Sequence, residues 1–182
     1  MIPAALKTLI RNAFATVEYP GDARLISSDE GNEPREVQLA FLGKRDWTTL
    51  APEFLDAAPD GLSSALSFFS EAAFRFYTPA FMIADIDQLL GRANPVFHLY
   101  SGLTDHKRNE QVNPYRYGKL TWFEVMSKRH ALFTSAEATA IIEFLRFAAE
   151  RSDFDRKLID QSLRNYWLVR DELEPLRTNR TR

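Results

Sequence analysis

The stretch 70-SEAAFRFYTPAFM-82 decides how this chain is read. Four aromatic residues surround one Glu, one Arg and a proline. At about 100° per residue, Ser67, Glu71, Arg75, Thr78 and Asp85 fall on one narrow polar stripe. Phe69, Ala73, Phe76, Ala80 and Ile83 lie opposite, and Phe74, Tyr77 and Phe81 flank one edge. An element apolar around most of its circumference belongs in a core, not on a surface. The reading that follows is all-α: a compact bundle of roughly six to eight helices with residues 66–90 at its centre. Pro79 has no N–H to give the carbonyl of Arg75, so 62–90 is expected as two helices or one kinked helix.

Towards the N-terminus, Leu6, Leu9, Ile10, Ala13, Phe14 and Val17 recur at helical spacing. Pro3 suits the first turn of that helix and 19-YPGD-22 ends it. The polar run 27-SSDEGNEP-34 reads as a loop. Pro34 then opens a short helix with Val37, Ala40 and Phe41 inward, closed by Gly43 as a left-handed cap. Asp46 caps a turn beginning at Trp47, Pro52 begins another short helix, and 58-APDG-61 is a turn.

Beyond residue 90 the signal weakens. Residues 91–119 read as the longest irregular stretch. Five residues are too few for periodicity to separate strand from helix in 96-VFHLY-100, and 120-LTWFEVM-126 has the same ambiguity, so a small β-hairpin between them stays open. Helix returns at Thr134, which forms a capping box with Glu137 ahead of a buried stripe of Ile141, Ile142, Leu145, Ala148 and Ala149. Ser152 with Asp155 marks a second, weaker box. Ile159, Ser162, Tyr166, Val169, Leu173 and Leu176 then form a seam of about two and a half heptads. Such a seam packs on a neighbouring helix or, through Ile159, Tyr166, Val169 and Leu173, makes a homodimer. The expected organisation is a single helical domain over 1–176, with Pro175 in its last turn, and a disordered basic tail, 177-RTNRTR-182.

Composition narrows the classes. Of 182 residues, 45% are hydrophobic and 26% charged, the profile of a soluble globular chain. A formal net charge of −2 argues against nucleic acid and against an anionic membrane as general partners. With no cysteine, disulfides, thiolate catalysis and sulfur-based zinc sites are excluded. Lys7 and Arg11 interrupt the apolar residues of the N-terminus, which is therefore not read as a signal peptide, and no apolar run approaches the ~20 residues of a membrane helix. A cytoplasmic protein is the expectation.

No motif fixes a reaction. His98, His106 and His130 lack metal-ligand spacing. Gly43-Lys44 resembles the end of a phosphate loop, but Gln38 stands where its first glycine belongs and Arg45 replaces the hydroxyl residue. Ser63 and Ser64 follow Gly61 without a nucleophile elbow. Asp85 and Asp87, two apart on a helix, point in different directions. No catalytic residue, metal or cofactor is assigned. Two places remain as candidate contacts for a ligand or partner. One is Glu71 with Arg75 and Tyr77 in the opening stretch; the other is the loop 106-HKRNEQVNPYRYGK-119. There Arg108, Tyr115 and Arg116, with Lys107, Tyr117 and Lys119, suit a phosphate and a stacked ring. The plain alternatives are a structural ion pair and a solvated loop.

Three blocks, 40-AFLGKRDWTTL-50, 66-LSFFSEAAFRFYTPAFM-82 and 132-LFTSAEATAIIEFLRF-147, resemble a family of bacterial proteins of about this length, a likeness extending over about residues 10–150. The resemblance implies a bacterial intracellular domain and carries no assigned activity, hence no catalytic residues. Two functions are expected: a non-enzymatic interaction or regulatory protein with a protein partner, or a small-molecule binder or enzyme with a polar cleft around Glu71 and Arg75.

Overall fold

The computed structural model describes residues 1–57 and 65–173. The turn expected at 58–61, Ser63 and Ser64, and Pro175, Leu176 and the basic tail lie outside the described residues. The fold is all-α, and among the described residues there is no sheet. By its internal contacts the chain forms two compact units, Met1–His98 and Leu99–Arg182.

The first unit is built on α4, Glu71–Ile86. Ser70 caps it, accepting from Ala73 N at 3.1 Å, and its own hydroxyl donates to Arg24 O at 2.6 Å. One continuous helix passes through Pro79. Just before the proline, Thr78 turns its hydroxyl back onto Phe74 O at 2.5 Å and is buried, so the polar stripe expected along this helix is broken there. α1 (Pro3–Phe14), α3 (Pro52–Asp56) and the short turn Trp47–Thr49 pack on α4. Leu6, Ile10 and Phe14 of α1 are fully buried, each worth roughly 1.5–3 kcal/mol of apolar burial.

α2 runs Asn32–Phe41 with Pro34, Val37 and Phe41 inward; Ala40, expected inward, is exposed. Gly43 follows in the left-handed region at φ 70°, as its position after a helix predicts. Its amide donates to Asp22 Oδ1 at 2.9 Å, and Tyr19 donates to the same oxygen at 2.5 Å. The two bonds, Tyr19's first, hold the Asp22 carboxyl below its ordinary pKa. Tyr77 donates to Lys44 O at 2.8 Å, and burial, with the nearby Tyr19 and Asp22, raises the pKa of its phenol. Asp46 caps the Trp47 turn through Thr48 N at 2.9 Å. The 43-GKRDW-47 segment is thus bonded to α4 through Tyr77 and packs on it through the Trp47 turn.

Asp56, the last residue of α3, accepts the amides of Gly91, Arg92 and Ala93 at 2.8–2.9 Å. Burial pushes its pKa up, but the three amides and the Arg92 charge outweigh that and leave it below its ordinary value. Its stabilisation is therefore complete above the unfolded carboxylate range and lost as pH falls through the lowered folded value. Asp56→Ala is expected to cost about 2–3 kcal/mol at neutral pH, with the gap to the parent protein closing on acidification. Urea titrations at several pH values check this; a gap independent of pH would refute it.

In the second unit, and in the helix that leads into it, the open hairpin alternative is overturned. Residues 96–100 lie in α5 (Pro95–Tyr100), and 120–126 lead into α7, Trp122–His130. The physical reason is a capping box: Thr121 Oγ1 accepts from Glu124 N at 3.3 Å while Glu124 returns a bond to Thr121 N at 2.9 Å. Among the described residues between 96 and 126, strand-like pairing is confined to one bridge, Gln111 with Thr121. The stretch expected as irregular also holds α6, Pro114–Tyr117. α8, Ser135–Arg151, starts at the expected Thr134–Glu137 box, and α9, Asp153–Ser162, starts at Ser152. Tyr100 donates to Asp155 at 3.2 Å, and burial, then the Asp155 charge, push its pKa up to about 12.

The heptad seam does not continue as one helix. A π turn at Leu163–Trp167 intervenes before α10, Arg170–Leu173, with Leu168 N bonding Leu163 O at 3.0 Å. Ile159 and Tyr166 are buried within this unit, Val169 and Leu173 half-buried. The seam's first half is core of its own chain.

Candidate ligand-binding sites

The C-terminus of α4 shapes a slot in the first unit. The helix ends in a Schellman motif: Leu89 N bonds Ala84 O at 3.0 Å and Gln88 N bonds Asp85 O at 2.9 Å. Gln88 occupies the left-handed position at φ 58° and is the only non-glycine residue there among the described residues. A side chain in that region costs about 1–2 kcal/mol, so Gln88→Gly is expected to stabilise the protein by about 1 kcal/mol after the entropic cost of glycine. Urea denaturation measures it, and a loss of stability would refute the capping account.

The motif swings Leu89 back over Ala84, and both line the slot, whose volume is about 170 Å³. Ala80, Ile83, Ala84 and Asp87 enter from α4 at i, i+3, i+4 and i+7, one face of the helix. Trp47, Thr48, Leu50 and Pro52 form the facing wall, and Arg11 of α1 stands at the rim. Trp47, Ala80 and Ala84 are buried, which makes the floor apolar. Asp87 is held by Lys7 at 2.7 and 3.0 Å. The Arg11 guanidinium has no partner among the described residues.

The second unit carries a wider groove of about 450 Å³ along α9, with Asp153, Arg156, Lys157, Asp160, Gln161 and Arg164 on its walls and Asp105 at its edge. Asp105 is pinned from three directions: its amide donates to Gln161 Oε1 at 3.1 Å, Asn165 donates to its carboxylate at 2.8 Å, and Arg164 at 3.1 Å. The Asn165 bond, then Arg164, lower its pKa. Phe154 stands on the same helix with 81% of its surface exposed.

The candidate residues of the sequence reading fall in both units. Glu71 is exposed in the first turn of α4 and Arg75 is half-buried one turn on. Tyr77 is fully buried in the aromatic cluster with Phe41, Phe69 and Phe76. Neither depression described above includes Glu71 or Arg75. In the second unit, Arg108 lies over the Phe123 ring at 5.0 Å, and Lys107 pairs with Glu110 at 2.5 Å. Tyr115 is fully exposed in α6, which also contains Arg116. His130, read as one of three histidines without metal spacing, is buried against Trp167 at 4.9 Å. Among the described residues no group of His, Asp and Glu is placed to hold a metal ion.

The profile of a family described as a family of unknown function, DUF6714, matches residues 3–171. The chain belongs to the DUF6714 family. No curated protein and no solved structure matches it. In this DUF6714 chain, two of the blocks that carry the resemblance build the slot. The 40–50 block supplies Trp47, Thr48 and Leu50, and the 66–82 block leads into the α4 face that bears Ala80. The slot escaped the sequence reading because its walls come from separate stretches, and its one local signal, Ala80 and Ala84 a turn apart, is equally that of close helix packing.

Proposed function

We propose that this protein is a non-enzymatic interaction or regulatory protein of the bacterial cytoplasm, and that α9 presents its partner-binding face. The observation that carries the reading is Phe154, 81% exposed on a helix whose neighbouring surface is a charged groove. Leaving a large aromatic side chain in water forgoes roughly 1.5–3 kcal/mol of burial. An exposed ring three residues from Lys157, on a helix that lines a charged groove, has the composition of an interface hot spot with a polar neighbour. Lys157 and Gln161, at i+3 and i+7 from Phe154, share its side of the helix and line the groove.

Affinity purification from the native host, comparing the parent protein with Phe154→Asp, tests this. A partner recovered in stoichiometric amount by the parent and reduced at least about tenfold by the variant is expected, since losing a hot spot costs ~2 kcal/mol or more. Recovery of the protein alone, or of the same partner by both forms, would overturn it. The alternative, a small-molecule binder with its cleft at Glu71 and Arg75, draws its support from another part of α4, the slot two turns further along.

A further inference from the structure

The slot combines three features on few residues: an apolar floor, an unengaged guanidinium and a carboxylate. Its volume of about 170 Å³ limits the occupant. Pockets for drug-sized molecules span roughly 300–1,000 Å³, whereas a cavity of about 150 Å³ already accepts a benzene ring. The slot therefore takes one side chain, not a nucleotide or a cofactor. Trp47, Ala80, Ile83 and Ala84 give that side chain an apolar surround, and the two alanines provide the room.

The rim selects for charge. Lys7 and Arg11 are one turn apart on α1, about 6 Å along the axis. Lys7 is committed to Asp87, which leaves Arg11 to attract an anion. The Asp87 carboxylate retains acceptor capacity beyond its two contacts with Lys7, since a carboxylate offers about four acceptor sites. One anion receptor and one cation receptor thus flank a slot for an apolar side chain.

We propose that this slot binds a free aliphatic α-amino acid of about the size of leucine. The side chain enters between Trp47 and Ile83, the carboxylate pairs with Arg11, and the ammonium group bonds Asp87. The two charged groups of an α-amino acid share one Cα and lie within about 4 Å of each other, a separation that the flexible Arg11 side chain spans. A peptide C-terminus would present the carboxylate without the ammonium group beside it and would leave Asp87 unused. The proposal goes beyond the interaction reading and uses none of its residues.

Isothermal titration calorimetry on the full chain tests it, with L-leucine, leucinamide, 4-methylpentanoate and a short peptide ending in leucine as probes. L-leucine is expected to bind saturably at one site. Leucinamide, which lacks the carboxylate, and 4-methylpentanoate, which lacks the ammonium group, are each expected to bind at least about tenfold more weakly, the scale of one charge-assisted hydrogen bond. Arg11→Gln, on the exposed face of α1, is expected to weaken leucine by a similar factor with unchanged circular dichroism. Absence of leucine binding at millimolar concentration overturns the proposal, as does binding that Arg11→Gln leaves intact. Tighter binding of the peptide or of 4-methylpentanoate than of leucine would also overturn it, in favour of a chain end or a simple acid.

Discussion

Trp167→Ala is expected to cost about 3–5 kcal/mol, enough to unfold the second unit or bring it to the edge of unfolding. Trp167 is 1% exposed, stacks at 4.9 Å from His130, and lies 5.2 Å from Tyr166 and 6.0 Å from Phe133. Its indole N–H donates to Leu99 O at 2.9 Å. Truncation therefore removes a large apolar body and also leaves a buried carbonyl without its donor, two penalties that act together. Trp167→Phe separates them. It keeps most of the ring packing and loses the bond, so a cost of about 1–2 kcal/mol is expected. Urea denaturation followed by far-ultraviolet circular dichroism measures both; a loss below about 1 kcal/mol for alanine would show that the site does not organise the unit.

The π turn explains why so much depends on this residue. Three consecutive side chains, Asn165, Tyr166 and Trp167, are all buried. Successive residues of a regular helix diverge by about 100°, so such a triplet cannot face a single neighbour. Here each serves a different segment: Asn165 donates to Leu103 O, Tyr166 to Ser127 O and Trp167 to Leu99 O. Arg170, one turn on, donates to Phe133 O. The segment thus ties residues 99–103 and 127–133 to itself through four of their backbone carbonyls.

What the sequence discloses follows from how local each signal is. The Pro3 start, the Asp46 cap, the Gly43 turn and the Thr134–Glu137 box each depend on residues within one turn, and all are present. The same logic applies at Thr121 and Glu124, where a capping box stands in 120-LTWFEVM-126; periodicity over so short a run cannot separate strand from helix, which leaves a hairpin open. The π turn is not legible, because one extra residue in a helix leaves no compositional mark, and the heptad count ran straight across it. Glu71 and Arg75 are conspicuous in the sequence because they are charges in an apolar run. The slot is assembled from Arg11, Trp47, Ala84 and Leu89, which nothing in the chain's order connects.

Gly102→Ala is expected to cost about 2–5 kcal/mol, from two sources that can be separated. Gly102 sits at φ 79°, where a Cβ brings a penalty of about 1–2 kcal/mol in any surroundings. The added Cβ would also lie 2.6 Å from Met126 Cγ, 3.3 Å from Met126 Cβ and 3.2 Å from the Trp122 carbonyl oxygen. The first contact can be relieved by a rotamer change, but the other two involve atoms fixed by α7, so overpacking adds about 1–3 kcal/mol. Gly118 provides the control: it lies at φ 61° with nothing within 4 Å of its would-be Cβ. At φ 61° and ψ −126° Gly118 lies outside the left-handed helical region, so Gly118→Ala should show a conformational penalty of about 1–3 kcal/mol with no clash added. In the double variant Gly102→Ala/Met126→Ala the Cγ contact is gone, so its cost should fall short of the sum of the two single changes. Strict additivity in the double variant would mean that the 100–103 turn does not rest on α7 as closely as these distances require.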